Sequence, residues 1–189
     1  KPLGYSVEEV ALALGALREN RIQRFMAGFM RRWDPAYIRG RLAVDTGEIG
    51  APVALKCTSG DAGYPEKYRR PGSAPEHTML KDLAVHDVDL ARWLLRSEIK
   101  RVYASSAAMS YPELADFGDA DLVMAVLEME SGARVGIHWS RALDYGYNVT
   151  SELVCTKGTV QLGEVKQTSA TVLKAGHAAV DIAPAFPER

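Results

Sequence analysis

Beyond residue 98 the chain breaks into short β-type runs at regular spacing: 100–107, 121–129, 133–140, 149–156, 158–162 and 170–174. Two of the gaps between runs hold Ser131-Gly132 and Lys157-Gly158, which are tight-turn signals. Runs joined this closely fold back on one another as hairpins, so this half predicts an antiparallel sheet. In 121–129, Leu122, Met124 and Val126 alternate with Val123, Ala125 and Leu127. Apolar residues on both faces predict a central strand covered on both sides, with Met124 and Met129 as core filler. An earlier run, 52–59, predicts one more strand.

Helical signals concentrate before residue 98. Ser6 stands three before Glu9, the spacing of a capping box, and Val10, Leu14 and Leu17 follow on one face. The apolar run 22–30 reads as a buried strand, so this opening looks like the tail of a βαβ pattern. Asp34 and Pro35 fit the N-cap and first turn of a second helix, and Gly47 its stop. Residues 60–76 are rich in Gly, Pro and charge and predict a long surface loop. The strongest helix spans 78–98, with Leu83, Leu90 and Leu94 on its core face. The fold class expected is α+β: a mostly antiparallel open sheet with helices on one face.

Charge narrows the function classes. Lys plus Arg number 23 and Asp plus Glu 24, a net charge of -1. A nucleic-acid or anionic-membrane binder would carry a basic excess. The apolar runs fall short of the roughly 18 residues that span a bilayer. Cys57 and Cys155 are too few for a disulfide framework or a zinc site of Cys/His type. We therefore expect a reduced, cytoplasmic protein with no nucleic-acid or membrane partner and no metal.

The helix 78–98 carries Asp82, His86 and Asp89 at spacings of four and three, with Trp93 continuing the stripe. A carboxylate one turn from an imidazole can orient the ring and raise its basicity, as a general base near neutral pH requires. The same spacing also suits a polar stripe facing water. A metal site at His86, Asp87 and Asp89 is disfavoured, because adjacent helical residues diverge by about 100°. Tyr145 and Tyr147 precede a strand and suit a polyol ligand or a hydrophobic edge. Asn148 opens a glycosylation sequon that we read as chance. Arg31-Arg32 reads as a solvated pair. There is no G-x-G-x-x-G and no G-K-[ST], hence no phosphate cradle.

Taken in order, these segments resemble the Gfo/Idh/MocA family of NAD(P)-dependent oxidoreductases. "KPLGYSVEEV" is similar to the segment after the glutamate of its Glu-Lys-Pro motif. "GFMRRWDPAY" resembles the stretch leaving the nucleotide-binding domain, and "TGEIGAPVALKCTS" the entry into the sheet domain. "KDLAVHDVDLARWLL" resembles the Asp-x-x-x-His helix, and "DYGYN" the Tyr-Gly-Tyr-Asp segment. Within the family the likeness is greatest to inositol 2-dehydrogenases. Glu76-His77-Thr78 stands where many relatives carry Ser-Gly-Gly, and Asn148 where Asp is common.

The resemblance implies that residues 1–32 are the end of a Rossmann domain lying mostly upstream of Lys1. Residues 33–189 would be a substrate-binding and oligomerisation domain, incomplete at its end. It implies oxidation of a cyclic polyol or sugar by hydride transfer to NAD or NADP. His86 would be the general base, Asp82 would orient it, and Lys1 would stabilise alkoxide charge beside the cofactor. Arg32, Asp61, Asp89, Tyr147 and Asn148 would bind substrate hydroxyls. The open sheet face would pair subunits into a homo-oligomer. Other sugar or aldose dehydrogenases of the family, or a non-catalytic assembly module built on that face, are the alternatives.

Overall fold

The computed structural model describes residues 2–61, 78–143 and 147–163, with the backbone of 170–172 and 180–182. Most of the expected loop 60–76 lies outside the described residues, as do Lys1 and Tyr145.

Helix α1 (Val7–Glu19) starts where its cap predicts. The Ser6 hydroxyl accepts the Glu9 N–H at 3.1 Å. The Glu9 carboxylate accepts the N–H of Tyr5 at 2.7 Å, one residue before the cap itself. No residue of α1 is buried, so its apolar face covers no core in this chain. The expected strand at 22–30 does not form: residues 22–29 are irregular, and Ile22, Phe25 and Met26 are more than half exposed. A strand exists by pairing, and no described strand lies beside this run. A 3-10 turn at Met30–Trp33 leads into α2 (Pro35–Asp45), capped by the Asp34 side chain on Ala36 N–H at 2.8 Å. Gly47 ends α2 with φ +73°, a left-handed conformation that costs glycine nothing.

Six strands form one sheet in the order β2-β3-β4-β1-β5-β6. They are β1 (Pro52–Gly60), β2 (Ile99–Ala107), β3 (Leu122–Met129), β4 (Arg134–Ser140), β5 (Asn148–Cys155) and β6 (Gly158–Leu162). The hairpins β3–β4 and β5–β6 turn at the expected glycines. All pairs are antiparallel except β1 with β4, where Cys57 stands opposite Ile137. β7 (Ala170–Val172) and β8 (Val180–Ile182) pair separately.

Helix α3 (Val85–Leu95) continues from a π-helical turn at Leu80–Ala84. It packs over β1, while α2 packs over β6, where Gly40 lies against Leu162. The core lies between these helices and one sheet face. Leu83, Leu90 and Leu94 of the helical segment meet Leu55, Val135, Ile137 and Leu153 there. Val123, Ala125, Leu127 and Met129 of β3 are buried in this layer. Met124 and Val126, on the opposite face, are 55% and 48% exposed. The expectation of a strand covered on both faces, with Met124 in the core, is therefore corrected. Both helices lie on one side, and no described element covers the other.

Candidate functional site

The parallel pair β1 and β4 ends at Gly60 and Ser140, and antiparallel β5 begins opposite Gly60 at Asn148. Three strand ends meet at one end of the sheet's central strands. The Asp61 N–H donates to Ser140 O at 2.9 Å, and the Leu143 N–H donates back to Asp61 O at 3.2 Å. The π turn puts Asp82 at this end, since the Arg141 guanidinium donates from the end of β4 to Asp82 Oδ2 at 3.2 Å. A π turn winds more loosely than an α-helix and recurs at functional sites.

His86 lies one turn further on and is 4% exposed, with the Phe29 ring edge-on at 6.4 Å. Its helix carries three carboxylates, and each meets an arginine from another element. Arg141 reaches Asp82. Arg31 donates to Asp87 Oδ1 at 2.5 Å. Arg32 grips Asp89 through two bonds of 2.8 and 2.7 Å. Charge balance at this density lets a polar helix face be buried. Of the three, only Asp82 keeps appreciable exposure: its side chain is 33% exposed, against 0% for Asp87 and 7% for Asp89.

The Arg31–Asp87 pair belongs to a wider buried network. Arg31 also donates to Ser59 Oγ at 3.1 Å, and the Trp139 indole N–H donates to Asp87 Oδ2 at 2.7 Å. The reading of Arg31-Arg32 as a solvated pair is thus corrected for Arg31, which is 4% exposed. Arg32 is part-exposed, with its guanidinium 5.7 Å from the Trp93 ring centre. Nearby, the Tyr37 hydroxyl and Ser151 Oγ are 3.2 Å apart, and Ser151 Oγ donates to Cys57 Sγ at 3.5 Å. Burial pushes up both the Tyr37 phenol and the Cys57 thiol, so both stay neutral near neutral pH.

A cleft of about 340 Å³ opens between the 3-10 turn and the start of β5. Met30, Arg31, Asp34, Tyr37, Tyr147 and Asn148 line it, and its volume lies within the range of small-ligand sites. Asp82 and His86 are not in this lining. The structure therefore brings Tyr147 and Asn148 together in the cleft, joins Arg32 to Asp89, and ties Asp82 to Arg141. Lys1 lies outside the described residues. Among the described residues, no group of three or more His, Cys, Asp or Glu could hold a metal ion.

Sequence reasoning missed Arg31, Asp87, Trp139 and Arg141. For Asp87 a signal existed: it falls four after Leu83, three before Leu90 and seven before Leu94. A carboxylate on the core stripe requires a buried cation. For Arg141 the signal was fainter: it continues the alternation of Val135, Ile137 and Trp139, but its partner is brought to it only by the fold.

Dinucleotide phosphates do not fit the helix starts among the described residues. A carboxylate already stands at the start of each of the three longer helical segments: Glu9 at α1, Asp34 at α2, and Asp119 on the Met79 N–H that opens the third. A helix N-terminus binds phosphate through free N–H groups and positive field, and a fixed carboxylate opposes both.

The chain and its fold have known relatives. The profile of the GFO/IDH/MocA C-terminal domain matches residues 37–161. The chain is 34% identical over its whole length to scyllo-inositol 2-dehydrogenase (NAD(+)) of Bacillus subtilis, and covers 54% of that protein. A solved structure of scyllo-inositol dehydrogenase from Lactobacillus casei, with bound NAD(H) and scyllo-inositol, aligns with a TM-score of 0.76. It shares 25% identity, over 97% of this chain and 54% of that one. A myo-inositol dehydrogenase from Corynebacterium glutamicum aligns with the same TM-score at 28% identity, over 93% of this chain and 51% of that one. The chain spans about half the length of the relatives it matches. It belongs to the GFO/IDH/MocA family, with residues 37–161 forming its C-terminal domain.

Proposed function

We propose that the full-length protein oxidises a cyclic polyol of the inositol class, with NAD as hydride acceptor. The observation that carries this reading is the Asp82–His86 turn. A buried imidazole stands one turn from a partly exposed, arginine-held carboxylate, at the end of the sheet where three strand ends meet. The similarity to inositol dehydrogenases supports the substrate class and favours NAD over NADP.

In this reading His86 accepts the proton of the reacting hydroxyl, and Asp82 orients the ring and grips the same hydroxyl. Lys1 stabilises developing alkoxide charge and contributes to cofactor binding. NAD, when bound, supplies the hydride acceptor; none of the described residues holds its phosphates. Asp61, Tyr147 and Asn148 bind the remaining hydroxyls. A polyol needs many such partners, since each unmatched buried polar group costs about 1–3 kcal/mol. Arg32 and Asp89 satisfy one another and serve this site as a clamp on α3.

Residues 1–32 belong in this reading to the nucleotide-binding domain, and residues 33–189 to the substrate domain of a cytoplasmic enzyme. Among the described residues no helix is long and apolar enough to cross a membrane. A second role rests on a separate observation: Tyr103, Met124 and Val126 stand exposed on the open sheet face around Gly136. This face pairs with a second copy of the chain.

The test is steady-state oxidation by the full-length protein of myo-inositol, scyllo-inositol and glucose, with NAD and NADP. The reading expects an inositol with NAD to give the highest kcat/KM. Glucose as the best substrate would move the protein to the aldose dehydrogenases. Turnover of no polyol would leave the assembly role alone.

A further inference from the structure

We infer that Arg141 is a positioning residue of the polyol site, acting through Asp82 on His86. The inference rests on the function proposed above and names a residue that function did not require.

Arg141 is 2% exposed, and it is among the largest fully buried side chains of the described residues. It follows Val135, Ile137 and Trp139, the apolar inward residues of β4, where a charged group is costly unless paired. Its backbone is fixed at the strand end, with its N–H donating to Asp121 O at 2.8 Å. Asp121 is held in turn by three N–H groups, from Met109, Ser110 and Tyr111, at 3.1, 2.7 and 2.7 Å. The guanidinium thus springs from a backbone point tied to Asp121, which is itself held by three N–H groups.

The three arginine–carboxylate pairs of the helix are not equivalent. Asp87 and Asp89 are closed off by Arg31 and Arg32, which suits a role in packing. Asp82 is held on Oδ2 while a third of its side chain stays open to solvent. Of the three carboxylates, it alone is both fixed and reachable by a ligand. It also sits in the π turn, whose looser winding makes a tertiary tie worth more there. A guanidinium does not deprotonate in proteins, so Arg141 holds Asp82 in place at any pH at which the fold stands, and its positive charge opposes the field of the carboxylate at His86. The paired charges on this face are Asp82, Asp87 and Asp89 with Arg31, Arg32 and Arg141; Lys81 and Arg92 lie on the same helix, Asp119 at its start, and Arg41 meets it at the Trp93 carbonyl. Removing Arg141 leaves one carboxylate unbalanced beside the imidazole.

The test uses the full-length protein and four forms: wild type, Arg141→Met, Asp82→Asn and the double variant, with Arg141→Lys as the conservative control. Arg141→Met should lower kcat by about 10- to 100-fold, the scale of a misplaced catalytic group, with NADH affinity unchanged. Added to Asp82→Asn, it should cost little more, because its route of action is already gone. Arg141→Lys should recover part of the loss. A ¹³C NMR titration of the histidine rings reads the same coupling without turnover. The His86 midpoint should shift in Arg141→Met by a different amount than when the same change is made in Asp82→Asn, where only the direct field of the cation is lost. Multiplying losses in the double variant, with equal His86 shifts in the two backgrounds, would overturn the inference. Where Arg141→Met fails to fold, Arg141→Lys carries both comparisons. A wild type that oxidises no polyol ends the proposed function, and the His86 titration still decides whether Arg141 acts through Asp82.

Discussion

Arg31 and Asp87 form a buried ion pair 56 residues apart in sequence, with side-chain exposures of 5% and 0%. The pair joins the turn before α2 to the first turn of α3, and Trp139 and Ser59 tie it to the sheet. It fixes the roll of the helix that carries His86.

Breaking that pair from one side should be costly. Asp87→Asn or Arg31→Met leaves a buried charge uncompensated, and we expect a loss of about 3–5 kcal/mol in urea unfolding. The double replacement Arg31→Met/Asp87→Leu should recover much of it, since a packed apolar pair removes the desolvation cost. A double variant as unstable as the sum of the singles would contradict this account.

Alkaline stability depends on buried groups that burial keeps neutral, among them Cys57, Cys155 and Tyr37. Burial raises the Cys57 thiol first of all, and likewise the Tyr37 phenol. Both must stay neutral in the fold, while the unfolded chain ionises at ordinary values. The unfolded state then binds fewer protons, so stability is full below the ordinary thiol range and falls as pH rises above it. Cys57 alone should account for about 2 kcal/mol between pH 7 and pH 10. Cys57→Ala should flatten that slope, and Tyr37→Phe should act mainly above pH 10. An unchanged slope in Cys57→Ala, measured by urea titration at several pH values, would contradict the assignment.

The open sheet face gives a prediction on assembly. Met124 and Val126 are about half exposed on it, and Tyr103 more so. A charge placed there should oppose self-association without touching the core. Light scattering should show a multimer for the wild type and a smaller species for Met124→Glu, with the unfolding midpoint of the isolated subunit little changed. A wild type that is monomeric at high concentration would remove the claim.

Local chemistry made much of this fold legible. Asp34-Pro35 announced α2, and Ser131-Gly132 and Lys157-Gly158 announced two hairpins, because caps and turns are decided within a few residues. The run 22–30 misled for the converse reason: apolar content is local, but a strand needs a neighbour. The parallel pairing of β1 with β4 joins segments some 80 residues apart; nothing in either strand announces it. At the site, Asp82 and His86 were visible through helical spacing. Their setting was not, because Arg141 and Arg31 arrive from other elements. Asp87 shows what was readable but unread: a carboxylate in line with Leu83, Leu90 and Leu94.

The central claim is that His86 is the general base of a polyol oxidation. The most direct measurement is steady-state kinetics of His86→Ala in the full-length protein, on its best inositol substrate, with NADH affinity measured alongside. A lost general base costs about 10²–10⁴ in rate, so kcat should fall by that factor while NADH binds as in the wild type. A His86→Ala enzyme within threefold of wild type would mean that the imidazole is only packed against Phe29 and the core, and would contradict the account.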